Sequence, residues 1–363
     1  MTFITNGALN IEEHRTVLIE RKEFEKLVNH IGEKDLYIAL HNPRQTGKTT
    51  MLFLLQDRLQ KMGYGVAYID LEGRDDLNKA EFYEAIANEI LQGLDGIIEA
   101  SLEDLRQMPQ ARGQDSFTEF LKWLSKHSPR APKLIIIFDE VGGVPDETGK
   151  TFFSNLRKFH QAGRNNSKKD RDLYKKIMFI FAGALDLRRL TTGKNSPLRN
   201  VCTPFDLGDF THEEVRLLAR NLRELPVTHI EQIADSIYEW ANGHPYLTQT
   251  LCALADECED CRTIKIDELS ELVKQLVETH ILYGEDINLI HILKYLREEA
   301  QYRTPVFYVL KNSKNNPRKT VARMEELFSI GILKRGANAF LAVRNKIYSE
   351  RLSLFFDDEH PAA

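Results

Sequence analysis

Short, continuous apolar runs alternate with amphipathic stretches through the first two hundred residues. "LYIAL" (36–40), "VAYIDL" (66–71), "LIIIFDE" (134–140), "IMFIFAGA" (177–184) and "TPFDLGDF" (203–210) read as strands. Between them, "KTTMLFLLQDRLQKMG" and a stretch from about Asn78 to Gly93 carry helical periodicity, and the first ends on a glycine stop. Strands apolar on both faces, alternating with helices, predict a parallel sheet covered on both sides. The polar stretches "QAGRNNSKKDRD" (161–172) and "TTGKNSPLRN" (191–200) are expected to be solvated loops.

Beyond Phe210 the strand pattern stops. "THEEVRLLARNL", "HIEQIADSIYEWANG", "YLTQTLCALADEC" and "IDELSELVKQLVETHIL" read as successive helices, the first opening with Thr211 and Glu214 in capping-box spacing. From about Gly284, three more helices are expected in "INLIHILKYLREE", "TPVFYVLKN" and "KTVARMEELFSIG". Two short strands around a Gly-Ala-Asn turn follow in "ILKRGANAFLAVRNKIY", and three helices plus a hairpin make a winged-helix pattern. The expected division is an α/β core over 1–208, an all-helical lid over 209–283 and a winged helix over 284–363.

Composition adds limits. The chain has 363 residues, 42% hydrophobic and 28% charged, with no apolar run approaching the roughly 18 residues of a membrane helix. Its opening "MTFITNGALN" lacks the basic start and apolar core of a secretory signal, so the cytoplasm is the expected location and no membrane partner is expected. A formal charge of -5 argues against wholesale coating of nucleic acid. Residues 311–351 nevertheless hold ten Lys/Arg against three acidic residues, which polarises the chain toward a basic C-terminal end. Cys258 and Cys261 form a CxxC with Cys252 six positions earlier, a spacing zinc could use. Zinc normally takes two such pairs, and these thiols read instead as buried or half-buried groups near a helix end.

The candidate chemistry lies in "NPRQTGKTT" (42–50). A phosphate-binding loop reads Gly, any four, Gly-Lys-Ser/Thr; Gly47, Lys48 and Thr49 fit, and Asn42 stands where the first glycine would be. Asparagine tolerates left-handed backbone angles, so the departure is mild. The loop lies between an expected strand and an expected helix, where backbone N–H groups can wrap phosphate oxygens. Residues Asn42, Pro43, Arg44, Gln45, Thr46, Gly47, Lys48, Thr49 and Thr50 are therefore candidate nucleotide contacts. "LIIIFDE" ends on Asp139 and Glu140 at the carboxyl end of a buried strand, where ligands of open α/β sheets bind. Asp139 and Thr49 are expected to hold Mg²⁺, and Glu140 to polarise the attacking water. ATP is favoured over GTP, because the Asn/Thr-Lys-x-Asp base reader is absent. Adenine is expected near "TVLIERKEFEKL" and the helical domain.

In order and spacing, "NPRQTGKTT", "VAYIDLEG", "IIIFDEVGGV", "IFAGALDLRRL", "PFDLGDFTHEEVRLLA" and "GHPYLTQTLC" resemble the AAA-like branch of the signal-transduction ATPases with numerous domains (STAND), P-loop NTPases related to AAA+ proteins. The resemblance covers roughly residues 15–355, and "ANGHPYLTQTLC" is its more specific part. It implies a Walker A loop ending in Gly47 to Thr50 and a Walker B pair in Asp139 and Glu140. The strand "IMFIFAGA" would be the sensor 1 strand, but its tip, Ala182-Gly183-Ala184, offers no polar side chain and shifts attention to Asp186, Arg188 and Arg189. Gly243-His244-Pro245 would be the Gly-x-Pro turn packing on the nucleotide, making His244 and Pro245 nucleotide-proximal candidates. Arg188, Arg189 or Arg199 would complete the γ-phosphate site, an addition worth about 10³ to 10⁵ in rate.

The resemblance implies a nucleotide-gated switch with ADP and ATP states, homo-oligomeric when ATP-bound, slow in basal turnover and acting through a separate effector or sensor protein. The alternative is a DNA-binding AAA+-like ATPase of initiator or transposition type. There Lys311, Lys314, Arg318, Lys319, Arg323, Lys334, Arg335 and Arg344 would grip phosphates. The body of the third helix, with Glu325, Glu326, Met324, Leu327 and Phe328, fits protein packing better than base reading.

Overall fold

The computed structural model describes residues 3–33, 35–165, 168–192, 196–311, 322–335 and 341–359. It divides into two compact units, one of residues 22–42 and 51–207, the other of residues 1–21, 43–50 and 208–363.

The first unit is built on five parallel strands: β1 (Tyr37–His41), β2 (Gly65–Asp70), β3 (Leu134–Asp139), β4 (Ile177–Gly183) and β5 (Cys202–Phe205). Their order is β2-β3-β4-β1-β5, so β4 is inserted between β1 and β3. Every residue of β3 and β4 is buried, as their unbroken apolar runs require of a doubly covered sheet. Phe138, Phe179 and Phe181 stack across β3 and β4, and Phe152, Phe153 and Phe159 meet them edge-on from the helix Asp146–Asn165. Each such ring contributes about 1.5–3 kcal/mol by leaving water.

Two expectations need correction here. Much of 161–172 is helical, in the helices Asp146–Asn165 and Lys168–Lys175; Tyr174 of the second packs edge-on against Phe159. The helix Gln114–Lys126 was not anticipated, although Phe117, Phe120, Leu121 and Leu124 lie at helical spacing and are fully buried.

The second unit has its own core, centred on the helices His212–Ala219, Val227–Ala241, Pro245–Glu257 and Leu269–Val277. Thr211 and Glu214 form the reciprocal cap their spacing predicts. Farther along come the helices Ile287–Glu298, Arg303–Lys311 and Ala322–Ile330, then antiparallel β6 (Leu333–Arg335) and β7 (Leu341–Val343). The second expected strand is shorter than its apolar pattern suggests. Asn345 accepts a hydrogen bond from Tyr348 N at 2.8 Å and opens a helix, Lys346–Glu359, that absorbs "KIY".

Among the described residues no group of three or more His, Cys, Asp or Glu could hold a metal ion. Cys252 and Cys261 are buried and Cys258 half-buried. No helix of the described residues is long and apolar enough to cross a membrane.

Candidate nucleotide site

In the sheet unit, the carboxyl ends of β1, β3 and β4 share one edge because the strands are parallel. With β4 between them, β1 and β3 end about 10 Å apart. Asp139 closes β3 and is 1% exposed. One of its oxygens accepts from Glu140 N at 2.9 Å and the other from the Tyr68 hydroxyl at 3.0 Å. Burial, and then the negative charge of Asp139, push the Tyr68 phenol up, so Tyr68 stays a donor that fixes the carboxylate. Glu140 sits in the left-handed region at φ 45°, a costly conformation for a non-glycine residue. The turn that follows runs close to β2, since a Cβ on Gly143 would lie 1.8 Å from the Leu71 carbonyl.

The bare tip of β4 also has a reason. A Cβ on Gly183 would come within 2.9 Å of Val141 Cγ2, and the Gly183 carbonyl accepts from Asn42 N at 3.2 Å. A polar side chain has no room at that place.

Of the three arginine candidates, Arg188 is half-buried and Arg189 and Arg199 are exposed. Arg188 acts electrostatically on His41, at the end of β1, and on Asp206, just beyond β5. His41 is pushed down to about 4 by burial, then by Arg188, and its Nε2 pairs with the Thr191 hydroxyl at 3.2 Å. Asp206 is raised by burial against the opposing pull of Arg188. The side chain of Asp186 lies outside the described residues.

Asn42 does not take the conformation its residue type suggested. It is absent from the positive-φ positions. Its amide instead bridges the backbone beyond β5, donating to Leu207 O and accepting from Leu207 N, each at 2.7 Å. The left-handed positions in the loop are Gln45 (φ 58°) and Gly47 (φ 77°). Left-handed residues thus flank Thr46, and alternation of backbone hand is the feature by which successive N–H groups can form an anion-binding concavity.

In the second unit, Thr46 Oγ1 and Lys48 Nζ both donate to Pro43 O, at 2.8 and 3.2 Å, tightening the loop on itself. Thr50 Oγ1 accepts from Leu9 N at 3.1 Å. Arg21 was missed by the sequence reading, yet it is only 5% exposed and donates to Thr46 O at 2.6 Å and to Gly208 O at 2.9 Å. Its guanidinium lies over the Phe210 ring and so close to Gly47 that a Cβ there would be 2.7 Å from Nη2. The sequence signal was weak, since the opening segment holds two arginines, Arg15 and Arg21. In that segment Val17 is buried and accepts from Gln249, which brings it to the helix Pro245–Glu257.

"NGHP" is a stop and restart between helices. Asn242 (φ 47°) and Gly243 (φ 75°) are left-handed, His244 caps the next helix, and Pro245 is its first residue. Gly243 packs where no side chain fits, since a Cβ would be 1.9 Å from Phe210 O. His244 is fully buried, its Nδ1 facing Leu247 N at 3.5 Å and its Nε2 facing the Tyr348 hydroxyl at 3.3 Å. Both ring nitrogens are thus turned toward protein groups.

The described basic residues of the C-terminal end differ in exposure. Arg344 is 6% exposed and doubly bonded to Asp209, at 2.5 and 3.3 Å, so it is no phosphate-gripping surface residue. Lys334 is half-buried, and burial lowers its pKa. Lys311 and Arg335 are exposed and lie over the rings of Phe307 and Phe328. Lys314, Arg318 and Lys319 and the side chain of Arg323 lie outside the described residues.

The fold is that of an α/β protein with a five-stranded parallel sheet, and the 43–50 loop leads from its first strand into a helix. The AAA-like domain model matches residues 7–353, and the chain belongs to that family. Over 257 residues it is 24% identical to an uncharacterized WD repeat-containing protein of Synechocystis, matching 68% of this chain and 21% of that protein's length. Among solved structures it is similar to the Aeropyrum pernix ORC2 protein, with 16% identity, 94% and 93% coverage and a TM-score of 0.47. It is similar also to Thermotoga maritima RuvB, with 13% identity, 92% and 94% coverage and a TM-score of 0.45. A STAND protein with a tetratricopeptide repeat sensor from Pyrococcus horikoshii matches at 14% identity, covering 96% of this chain and 43% of that one, with a TM-score of 0.40.

Proposed function

We propose that the chain is an ATP-binding and ATP-hydrolysing molecular switch whose nucleotide state controls conformation, self-association and engagement of a separate protein effector or sensor. The observation that carries this reading is the 43–50 loop, left-handed at Gln45 and Gly47 and leading directly into the N-terminus of the helix Lys48–Lys61. Such a loop is an anion site built from backbone.

In this reading Asn42 to Thr50 form the phosphate loop, with Lys48 reaching the outer phosphates. Thr49 and Asp139 offer the hard oxygen donors that Mg²⁺ takes, and the bound ion would neutralise charge on the phosphate oxygens. Glu140 orients the attacking water and accepts its proton. Arg188 is assigned to the γ-phosphate because it alone of the three arginines is half-buried beside the strand ends. Arg189 and Arg199 are exposed and are the remaining candidates for that role. His244 and Pro245 support the site through the turn they build. The C-terminal helices and ribbon are read as a winged helix that moves with the nucleotide state.

The second reading, a DNA-gripping loader, draws less support, because Arg344 is committed to Asp209 and Lys334 is half-buried. Calorimetry with Mg-ATP on Lys48→Ala is expected to show no binding, and Glu140→Gln should bind but hydrolyse about 10²-fold more slowly. Unchanged affinity in Lys48→Ala would sink the assignment. Light scattering should show assembly with a non-hydrolysable ATP analogue alone; assembly only on adding duplex DNA would favour the loader.

A further inference from the structure

The phosphate loop is tied to residues far along the chain. Asn288 Nδ2 donates to Gln45 Oε1 at 2.5 Å. The Tyr348 hydroxyl donates to Asn288 Oδ1, and His244 Nε2 lies 3.3 Å from the same hydroxyl. His244 Nδ1 accepts from Leu247 N, which leaves the ring proton on Nε2. The bonds therefore run in one direction: His244 to Tyr348 to Asn288, whose amide passes the bond to Gln45. Tyr348 is 2%, Asn288 6% and His244 0% exposed, so water competes little for these bonds.

The tie falls on a strained residue. Gln45 holds φ at 58°, which a free glutamine leaves readily, and its side chain is the handle that Asn288 grips. A second brace lies beside it: Gly331 (φ 92°) comes so close to Pro43 that a Cβ there would be 2.7 Å from Pro43 Cβ. Asp286 caps the same helix that carries Asn288 and accepts from the Tyr246 hydroxyl at 2.9 Å, fixing Asn288 in place.

We propose that Asn288 and Tyr348 are positioning residues for nucleotide binding, which hold Gln45 left-handed and so keep the phosphate loop in its anion-binding shape. This rests on the reading of the 43–50 loop as a nucleotide site. Linkage then runs both ways: nucleotide in the loop strengthens the hold on the helix Lys346–Glu359, and loss of the hold weakens nucleotide binding by the same factor.

The test is a cycle of Tyr348→Phe, Gln45→Ala and the double variant, titrated with Mg-ADP by calorimetry in the full chain. Each single variant is expected to raise Kd about 5- to 30-fold, the range set by the cost of a left-handed non-glycine residue. The double variant should be no weaker than the worse single one. Hydrogen exchange supplies a readout that a merely structural role would not move. Mg-ADP should slow exchange in 346–359 of the wild type and not in Gln45→Ala. Wild-type affinity in Tyr348→Phe, or additive losses in the double variant, overturns the proposal and leaves the nucleotide site standing. No Mg-ADP binding by the wild type overturns both.

Discussion

His244 should make the stability of its unit fall with acid. Burial, and secondarily Arg344, push its folded value down to about 3, with the charge of Asp209 opposing and Arg21 reinforcing the shift. An unfolded histidine titrates near ~6.5, so the unfolded chain takes up the proton first. Stability is therefore complete above that value and is lost as pH falls from ~6.5 toward the folded value, at about 1.4 kcal/mol per unit. Between pH 7 and 5 the loss from this one ring is about 2 kcal/mol. Urea unfolding can measure it through Trp240, which lies in the same core as His244's neighbours; a Trp123→Phe background removes the only other indole. The comparison is His244→Asn, which keeps a side-chain acceptor at the helix start and does not titrate. His41, His160 and His291 are also lowered, but they are common to both proteins and cancel in the difference. The stability gap between wild type and variant should narrow by about 2 kcal/mol from pH 7 to pH 5. Parallel pH curves would refute the reasoning, because a ring that protonates without penalty is not desolvated.

Two further outcomes concern charges the fold has placed. Arg188→Ala should lower single-turnover hydrolysis by about 10²-fold or more with little change in ATP affinity, while Arg199→Ala should leave the rate of the isolated chain near wild type. Equal rates in both variants would remove Arg188 from the site. Arg344→Met should cost about 3–5 kcal/mol in urea unfolding, since it strands the Asp209 carboxylate at 17% side-chain exposure. Joint replacement with Asp209→Asn should recover part of that loss, and simple additivity would show that the two charges do not depend on each other.

The α/β core was legible because its signals are local. Four apolar runs became strands within a residue of their expected ends, while the fifth, expected over 203–210, is a strand only over Cys202–Phe205; the order with β4 between β1 and β3 brought Asp139 to the edge where its position at a strand terminus pointed. What failed was also local in appearance. "RNNSKKDRD" is polar enough to read as a loop, yet one apolar ring in the following turn, Tyr174, anchors the helix against Phe159. "KIY" has the composition of a strand, and the cap at Asn345 decided otherwise. Each error set a propensity against a single specific contact, and the contact won.

The loop poses a sharper case. Residue type suggested that Asn42 replaces a glycine by tolerating its backbone angles, and the structure gives Asn42 to the Leu207 backbone while Gln45 takes the left-handed angle. No rule of composition selects glutamine for that conformation. The partner that holds it, Asn288, is 243 residues away, and Tyr348 lies 60 residues beyond Asn288. Arg21 reaches the same loop from 25 residues before it. A pattern read along the chain marks the loop; its bonds to distant residues are set by the tertiary fold. That is why the loop could be located from nine letters and its supports could not. It follows that substitutions at Asn288, Tyr348 and Arg21, none of which belongs to any nucleotide-binding pattern, should change nucleotide affinity more than substitution of the exposed Arg44 within the pattern itself.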